Sequence, residues 1–322
     1  MKKIIELTHR MDDYVCMWNG VEDLYICDTG EKLPPKFFFV VSSFGSFCYM
    51  KTPKAELKRM VALGDGRTRK MYEFLAPIVG FDYKVCEYKS FEKALAKIKS
   101  EIDAGYPCMI GALDMFYLPH FEKLYHKEHI PFHYELAIGY DDEAQILYFL
   151  DCGRTDIQTI PYEELRLAFD CSYPGLSKPN TVWAVRMQTN KGKYEIAKEA
   201  FAQKKELYLN PPVGFIGYRG FEKFINELPD WKEELSKEDY DKILYNMVQF
   251  FGTVPTIPNK LRGIDEEDIM EFGGGFDKAA VVLSSLGKEY NDISMTTAAE
   301  IFADTALVIT QIKEVIVDYL SN

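Results

Sequence analysis

The spacing of apolar and polar positions changes near residue 190. Before that point, short apolar runs alternate with amphipathic segments, and turn-forming residues bound the runs. Helical spacing predicts one helix after Asp12-Asp13 and another over 91–102, which Gly105 closes. The apolar runs predict strands at 37–41, 81–88, 107–113, 132–140, 145–151 and 182–187.

After Gln188 the pattern becomes mostly helical, and prolines and glycines separate the segments. Predicted helices lie around 193–208, 218–228, 236–252, 265–288 and 293–320. We therefore expect a mixed α+β domain over residues 1–190, followed by a helical domain over 191–322.

The strands at 132–140 and 145–151 flank a polar turn, so we expect a β-hairpin. Residue 142 is the midpoint between His133 and Asp151, which predicts that these two residues are cross-strand neighbours within one register step. Strand alternation puts His133 and Glu135 on the less apolar face. A carboxylate in this position can hold an imidazole in one tautomer and orientation.

Cys16 is the cysteine whose local sequence best suits a nucleophile. It lies at or just before the first turn of a predicted helix, where the helix dipole favours a thiolate, and an adjacent imidazolium would favour it further. The structural alternatives stay open on spacing alone: Cys16 as a small core residue, His133 as a structural residue and Asp151 as a turn former.

Composition narrows the class of protein. The hydrophobic fraction of 47% and charged fraction of 27% are typical of a soluble globular chain. The net charge of −12 argues against binding to nucleic acids or anionic membranes. Seven scattered cysteines without a C-x-x-C pair favour reduced thiols and a cytoplasmic location. The charged N-terminus is unlike a signal peptide, and we expect no membrane span, since no apolar stretch reaches about 18 residues.

One basic segment departs from the acidic average. Seven cations stand there against two acids: Lys51, Lys54, Lys58, Arg59, Arg67, Arg69 and Lys70. The segment is either a solvated helix face and loop or a docking patch for an acidic partner.

Two other features were considered as sites. Four histidines, His120, His126, His129 and His133, fall within a short stretch, but no paired cysteines or H-E-x-x-H spacing accompanies them. No metal site is therefore predicted. Asp114 follows the strand at 107–113, where it lines the cleft or caps the next turn.

Three segments resemble the butirosin biosynthesis protein H N-terminal family: Y-V-C-M-W-N-G-V at 14–21, D-A-G-Y-P-C-M-I at 103–110, and F-H-Y-E-L-A-I-G-Y-D-D-E through F-L-D at 132–151. The last segment also resembles the cysteine peptidase domains of bacteriocin exporters. The resemblance covers roughly residues 10 to 190. It implies a papain-like fold with Cys16 as nucleophile, His133 as general base and acid, and Asp151 as the residue that orients the imidazole. The helical half resembles the family's companion domain only in general character.

The sequence departs from papain-like peptidases at one point. Those enzymes place a glutamine shortly before the cysteine as an oxyanion donor, whereas residues 10–15 contain none. The backbone N–H of Cys16 can supply one donor, and Asn19, one turn later, is a candidate for the second. The departure weakens the peptidase interpretation more than an acyl-transfer one, because a thioester is an easier acyl donor than an amide.

The resemblance implies an acyltransferase that moves an acyl group from a carrier-protein phosphopantetheine thioester to an amine, as in closthioamide-type amide formation. It implies no bound cofactor. The expected partners are an acyl or peptidyl carrier protein, docked on the basic segment, and a small amine; a homo-oligomer is compatible with the sequence. The alternatives are a cysteine peptidase that cleaves a leader or small peptide, and a non-catalytic binding module with a papain-like fold.

Overall fold

The computed structural model describes residues 1–12, 16–42, 47–63, 68–172, 178–251, 259–262 and 275–322. Its contacts divide the chain into two compact units. The first comprises Met1–Leu33 and Arg67–Lys193, and the second comprises Pro34–Gly66 and Tyr194–Asn322. The division predicted near residue 190 did not place residues 34–66 with the helical half.

The first unit contains most of the strands. In chain order, its elements are β1 (Lys2–Ile4), α1 (Cys16–Thr29), α3 (Thr68–Val79), β4 (Phe81–Glu87), α4 (Phe91–Asp103), β5 (Cys108–Leu113), β6 (His133–Asp141), β7 (Ile146–Leu150), β8 (Gln158–Pro161), α5 (Tyr162–Phe169) and β9 (Thr181–Met187). The second unit contains α2 (Phe37–Val41), β2 (Phe47–Lys51), β3 (Arg59–Leu63), α6 (Lys193–Leu209), α7 (Gly217–Glu227), α8 (Trp231–Glu234), α9 (Lys237–Phe250), α10 (Phe276–Tyr290) and α11 (Ile293–Ser321).

Within the described residues, seven strands of the first unit form one antiparallel sheet. Its order is β4-β9-β5-β6-β7-β8, and β1 pairs with the far end of β6. Strand β6 lies in the interior of the sheet, which explains why His133 to Tyr140 are buried without alternation. The predicted strands at 81–88, 107–113 and 182–187 and the predicted hairpin are confirmed.

The helix that begins at Cys16 packs directly on this sheet. Trp18, Val21 and Tyr25 are buried, and α1 contacts β5, β6 and β9. Gly20 allows a close approach, because a Cβ there would lie 2.3 Å from Sδ of Met109 and 3.0 Å from Cβ of Leu136. The start of α1 is therefore held close to β5 and β6.

The prediction of a strand at 37–41 is wrong, because these residues form the short helix α2. All five side chains are buried, and a short, uniformly apolar run has no periodicity that separates a strand from a buried helix. The strands of this region lie further along, where β2 and β3 pair from Phe47 opposite Leu63 to Lys51 opposite Arg59.

The second unit packs helices around the β2–β3 hairpin. Tyr49, Val61 and Trp231 belong to one apolar cluster with residues of α9 and α11. The predicted helices in this half are confirmed where the structure describes them; residues 265–274 of the fourth lie outside the described residues. By length and composition alone, α11 would meet the requirement for a membrane-crossing helix, as core helices of soluble proteins also do.

Candidate active site

Cys16 begins α1 and is half-buried. The first turn of the helix is anchored from α3, because the hydroxyl of Tyr72 donates a hydrogen bond of 2.9 Å to the carbonyl of Met17. The rings of Tyr72 and Trp18 also pack with their centres 5.1 Å apart. These contacts fix the position of the thiol at the helix N-terminus, where helix dipoles favour an anion.

His133 and Asp151 form a buried imidazole–carboxylate pair. Nε2 of His133 lies 2.6 Å from Oδ2 of Asp151. The hairpin register differs from the predicted one, because the turn is centred after residue 142: Asp141 pairs with Ile146, and beyond an irregularity between Ala137 and Gly139, Leu136 lies opposite Leu150. Continuation of that register puts Glu135 opposite Asp151, so His133 reaches the carboxylate diagonally along the same face.

The protonation of His133 depends on its neighbours. Burial lowers its pKa, but interactions with Cys16 and Asp151 outweigh burial and raise the pKa well above its ordinary value. Asp151 occupies Nε2 of the ring, and the effect of Cys16 on the pKa of His133 indicates that the thiol lies near the same imidazole.

Asp151 is held in place at both oxygens. Oδ1 accepts a 2.9 Å hydrogen bond from the backbone N–H of Gly153, while Oδ2 faces His133. Burial raises the pKa of this carboxyl group, but His120 and His133 outweigh that effect and hold the pKa below its ordinary range. The carboxylate therefore stays ionised over the ordinary pH range.

His120 and Glu135 are site residues that the prediction missed. Nε2 of His120 lies 3.1 Å from Oε1 of Glu135 and 3.7 Å from Oδ2 of Asp151. Oε1 of Glu135 also lies 3.7 Å from Nε2 of His133. Alternation along β6 already placed Glu135 on the face of His133, but its side chain was not assigned a role, and His120 was considered only as one of several clustered histidines.

Among the described residues, one group of side chains could hold a metal ion, with ligand atoms within 4.8 Å of one another: His120, His133, Glu135 and Asp151. Ligand atoms that share a tetrahedral zinc ion lie roughly 3.3 Å apart, as follows from Zn–N and Zn–O bonds of about 2.0–2.1 Å. The 2.6 Å separation of His133 and Asp151 is shorter and matches a charge-assisted hydrogen bond. The geometry therefore fits an acid–base cluster better than a shared metal.

His9 connects α1 with the loop after Asp151. Its Nδ1 lies 2.6 Å from Oδ2 of Asp23 in α1. Its Nε2 lies 2.7 Å from the carbonyl of Arg154 and 3.1 Å from that of Asp151. Sequence analysis did not identify His9, because nothing in its local sequence indicates that two distant segments meet there.

Asn19 was predicted as an oxyanion donor. Its buried amide donates a 2.7 Å hydrogen bond to the carbonyl of Arg10 and so connects α1 with the segment that precedes it. An amide carries two N–H donors, and one is engaged in this contact. Residues 13–15 lie outside the described residues.

Asp114 caps the turn that follows β5. Its Oδ1 accepts hydrogen bonds from the backbone N–H groups of Phe116 and Ile130, at 3.1 and 3.0 Å. Its Oδ2 lies 2.6 Å from Nδ1 of His129, whose side chain is exposed. Of the two interpretations offered above, this geometry corresponds to the cap.

The predicted docking cations differ in their surroundings. Arg59 is buried, and its guanidinium lies 2.5 Å from Glu234, so assigning it to a docking surface was wrong. Lys51 lies 3.5 Å from Glu227 and 3.4 Å from Glu234. Lys54 is exposed and Lys58 is half-buried. Arg67 and the side chains of Arg69 and Lys70 lie outside the described residues.

Two family models match the chain. The model described as butirosin biosynthesis protein H, N-terminal, matches residues 15–152, which include Cys16, His133 and Asp151. A domain of unknown function (DUF4872) matches residues 163–254 and thus covers parts of both compact units. No curated protein matches the chain. Residues 15–152 belong to the butirosin biosynthesis protein H N-terminal family, as the three segments indicated.

Proposed function

We propose that this protein is a biosynthetic enzyme of antibiotic or related secondary metabolism that transfers an acyl group through Cys16 to an amine. The observation that carries the proposal is the 2.6 Å contact between His133 and Asp151, together with the effect of the nearby Cys16 thiol, which raises the pKa of His133. This is the order of groups that thiolate catalysis requires. The family description, which names a butirosin biosynthesis protein, supports the biosynthetic context.

The proposed reaction has two steps. The Cys16 thiolate attacks the carbonyl carbon of a thioester, the substrate C–S bond breaks, and the His133 imidazolium gives its proton to the departing thiolate, which leaves as a thiol and an acyl-enzyme remains. The amine then attacks the acyl-enzyme, and neutral His133 takes the proton that the nitrogen loses. The C–S bond breaks, Cys16 leaves as a thiolate, and an amide is released. Asp151 keeps the imidazole oriented throughout.

The proposal includes the finer features that the family resemblance implies. The first unit would be papain-like, the acyl donor would be a phosphopantetheine thioester on a carrier protein, and the enzyme would work in the cytoplasm without a bound cofactor. Lys54 and Lys58 are the described cations that suit an acidic carrier best, because Lys51 and Arg59 are paired with Glu234.

Intact mass spectrometry tests the enzyme directly. The protein is incubated with a short acyl-pantetheine thioester, with and without a panel of small amines. We expect a mass increase of one acyl group that is lost in Cys16→Ala and His133→Gln. Release that requires an amine supports the transferase, whereas equal release to water alone would favour a hydrolase or peptidase. Absence of any adduct, with thioesters and peptide esters alike, would exclude both enzymes and leave a binding module.

A further inference from the structure

Two imidazoles and two carboxylates alternate around the centre of the site. The four atoms are Nε2 of His133, Oδ2 of Asp151, Nε2 of His120 and Oε1 of Glu135, and successive separations around this ring are 2.6, 3.7, 3.1 and 3.7 Å. Each nitrogen thus lies close to two oxygens. A three-residue assignment of Cys16, His133 and Asp151 accounts for only half of this ring.

The second half of the ring is buried without other polar contacts. The side chain of Glu135 has no exposed surface, and that of His120 is 4% exposed. Among the described residues, neither oxygen of Glu135 and neither ring nitrogen of His120 has a partner of hydrogen-bond geometry. Buried ionisable groups are costly unless opposite charges compensate them, so a pair with only the triad beside it suggests an electrostatic role.

We propose that His120 and Glu135 form a second imidazole–carboxylate pair, which positions Asp151 and sets the protonation of His133 through two opposing charges. The proposal rests on the function proposed above for the triad. Glu135 stabilises the imidazolium form of His133, and protonated His120 opposes it while attracting Asp151. Neither residue touches the reacting atoms, so both are positioning residues.

Other charged groups also face this centre. Cys16 approaches from α1, and the backbone carbonyl of Asp151 faces His9. Cys152 follows Asp151; burial raises the pKa of its thiol, and the charges of Cys16, Asp151, Glu135 and Asp12 add to that effect. The guanidinium of Arg154 lies over the ring of Phe121 and donates to the carbonyl of His120. None of these groups is altered by the variants used below.

Removal of these two charges is expected to shift the titration midpoint of His133 in opposite directions. Glu135→Gln removes a negative charge 3.7 Å from His133, so His133 should lose its proton at lower pH than in the wild type. His120→Gln removes the opposing positive charge, so His133 should lose its proton at higher pH. The double variant removes both charges and should return the midpoint close to the wild-type value. Each single shift is expected to be on the order of one pH unit.

The experiment follows the ¹⁵N resonances of the His133 imidazole by NMR as a function of pH, with His133→Gln used for assignment. Glu164→Gln is the matched control, because this carboxylate lies 3.5 Å from the exposed His126 in the same unit and should leave the His133 midpoint unchanged. This titration needs no substrate, so it stands even if no thioester is consumed. The pH profile of acylation, measured separately, should move in the same directions.

Each single variant leaves one buried charge without its partner, whereas the double variant removes both charges. The double variant is therefore expected to fold most readily. Glu135→Asp keeps the charge and should preserve the wild-type midpoint. Shifts of the same sign in both single variants would overturn the proposal, as would unmoved midpoints. A double variant whose midpoint departs as far as either single variant would also overturn it.

Discussion

Nδ1 of His9 lies 2.6 Å from Oδ2 of Asp23, while Nε2 of the same ring faces the backbone carbonyls of Asp151 and Arg154. Both ring nitrogens therefore face oxygen atoms, which favours a ring that carries two protons. Burial lowers the pKa of His9, but Asp23 and the two carbonyls outweigh burial, and the pKa is raised. The charged ring connects α1 to the loop that begins at Asp151.

His9→Gln should reduce the stability of the protein most strongly at low pH. The raised pKa means that the protonated ring stabilises the fold fully below the unfolded-state value near pH 6.5 and loses this contribution as pH rises through the folded-state pKa. We expect a loss of about 3 kcal/mol at pH 6 and a smaller loss at pH 9. Urea unfolding at both pH values provides the measurement.

His126→Gln serves as the control for that experiment. His126 is exposed and lies 3.5 Å from Glu164, so its replacement should change the free energy of unfolding by less than about 0.5 kcal/mol. A pH-independent loss in His9→Gln would contradict a charged His9.

Asp151→Asn tests the base–orienter pair. The amide can occupy the same space, but it carries no charge to stabilise the His133 imidazolium that the proposed mechanism needs. By analogy with triads in which the carboxylate is replaced, acylation of Cys16 should slow by about 10⁴-fold. Single-turnover acylation, monitored by intact mass, gives the rate. Asp114→Asn is the control. Its carboxylate pairs with the exposed His129 and not with His133, so this variant should be acylated at close to the wild-type rate.

Gly111→Ala tests how tightly the start of β6 is held. Gly111 has φ +139°, and a Cβ there would lie 2.7 Å from the carbonyl oxygen of His133. Backbone strain and displacement of His133 should together cost about 2–3 kcal/mol and lower the acylation rate. Thermal unfolding and acylation are measured on the same sample.

Gly105→Ala distinguishes the effect of backbone strain from that of steric contact with His133. Gly105 also has a positive φ, of +87°, but no atom lies within 4 Å of the Cβ position. This variant should cost about 1 kcal/mol and leave acylation unchanged. Equal losses of activity in the two alanine variants would mean that contact with His133 is not responsible.

Lys54→Gln combined with Lys58→Gln tests the docking of a carrier protein. We expect KM for a carrier-bound thioester to rise by roughly 3- to 10-fold, because each exposed ion pair contributes modestly, while a free pantetheine thioester reacts unchanged. The effect should fade at high salt. An equal effect on both donors would show that the two lysines do not dock the carrier.

The sequence indicated the hairpin and the contact between His133 and Asp151 because their signals are local: a polar turn with apolar runs on both sides brings these two residues together whatever the rest of the chain does. The exact centre of the turn and the irregularity after Ala137 could not be foreseen, and together they put Glu135 rather than His133 opposite Asp151. His9 and His120 reach the site from separate segments. Their contacts depend on tertiary packing, which a single sequence does not encode as a pattern.

The predicted strand at 37–41 failed for a related reason. Its aromatic and β-branched residues favour strands, but they are buried on every side within the second unit, and tertiary contacts decided the conformation. Arg59 shows the same limit for charge: a basic run in the sequence does not reveal that one member is buried beside Glu234.

The discontinuous second unit has a consequence for biosynthesis of the chain itself. Tyr49 and Val61 leave the ribosome long before Trp231, with which they share an apolar cluster. Until the helical half is synthesised, the apolar side chains of the β2–β3 hairpin stay exposed, and we expect chaperones to bind them. Division of the gene near codon 190 would give two products with exposed apolar surfaces. Expression of the second unit alone therefore requires residues 34–66, and expression of the first unit alone requires their removal.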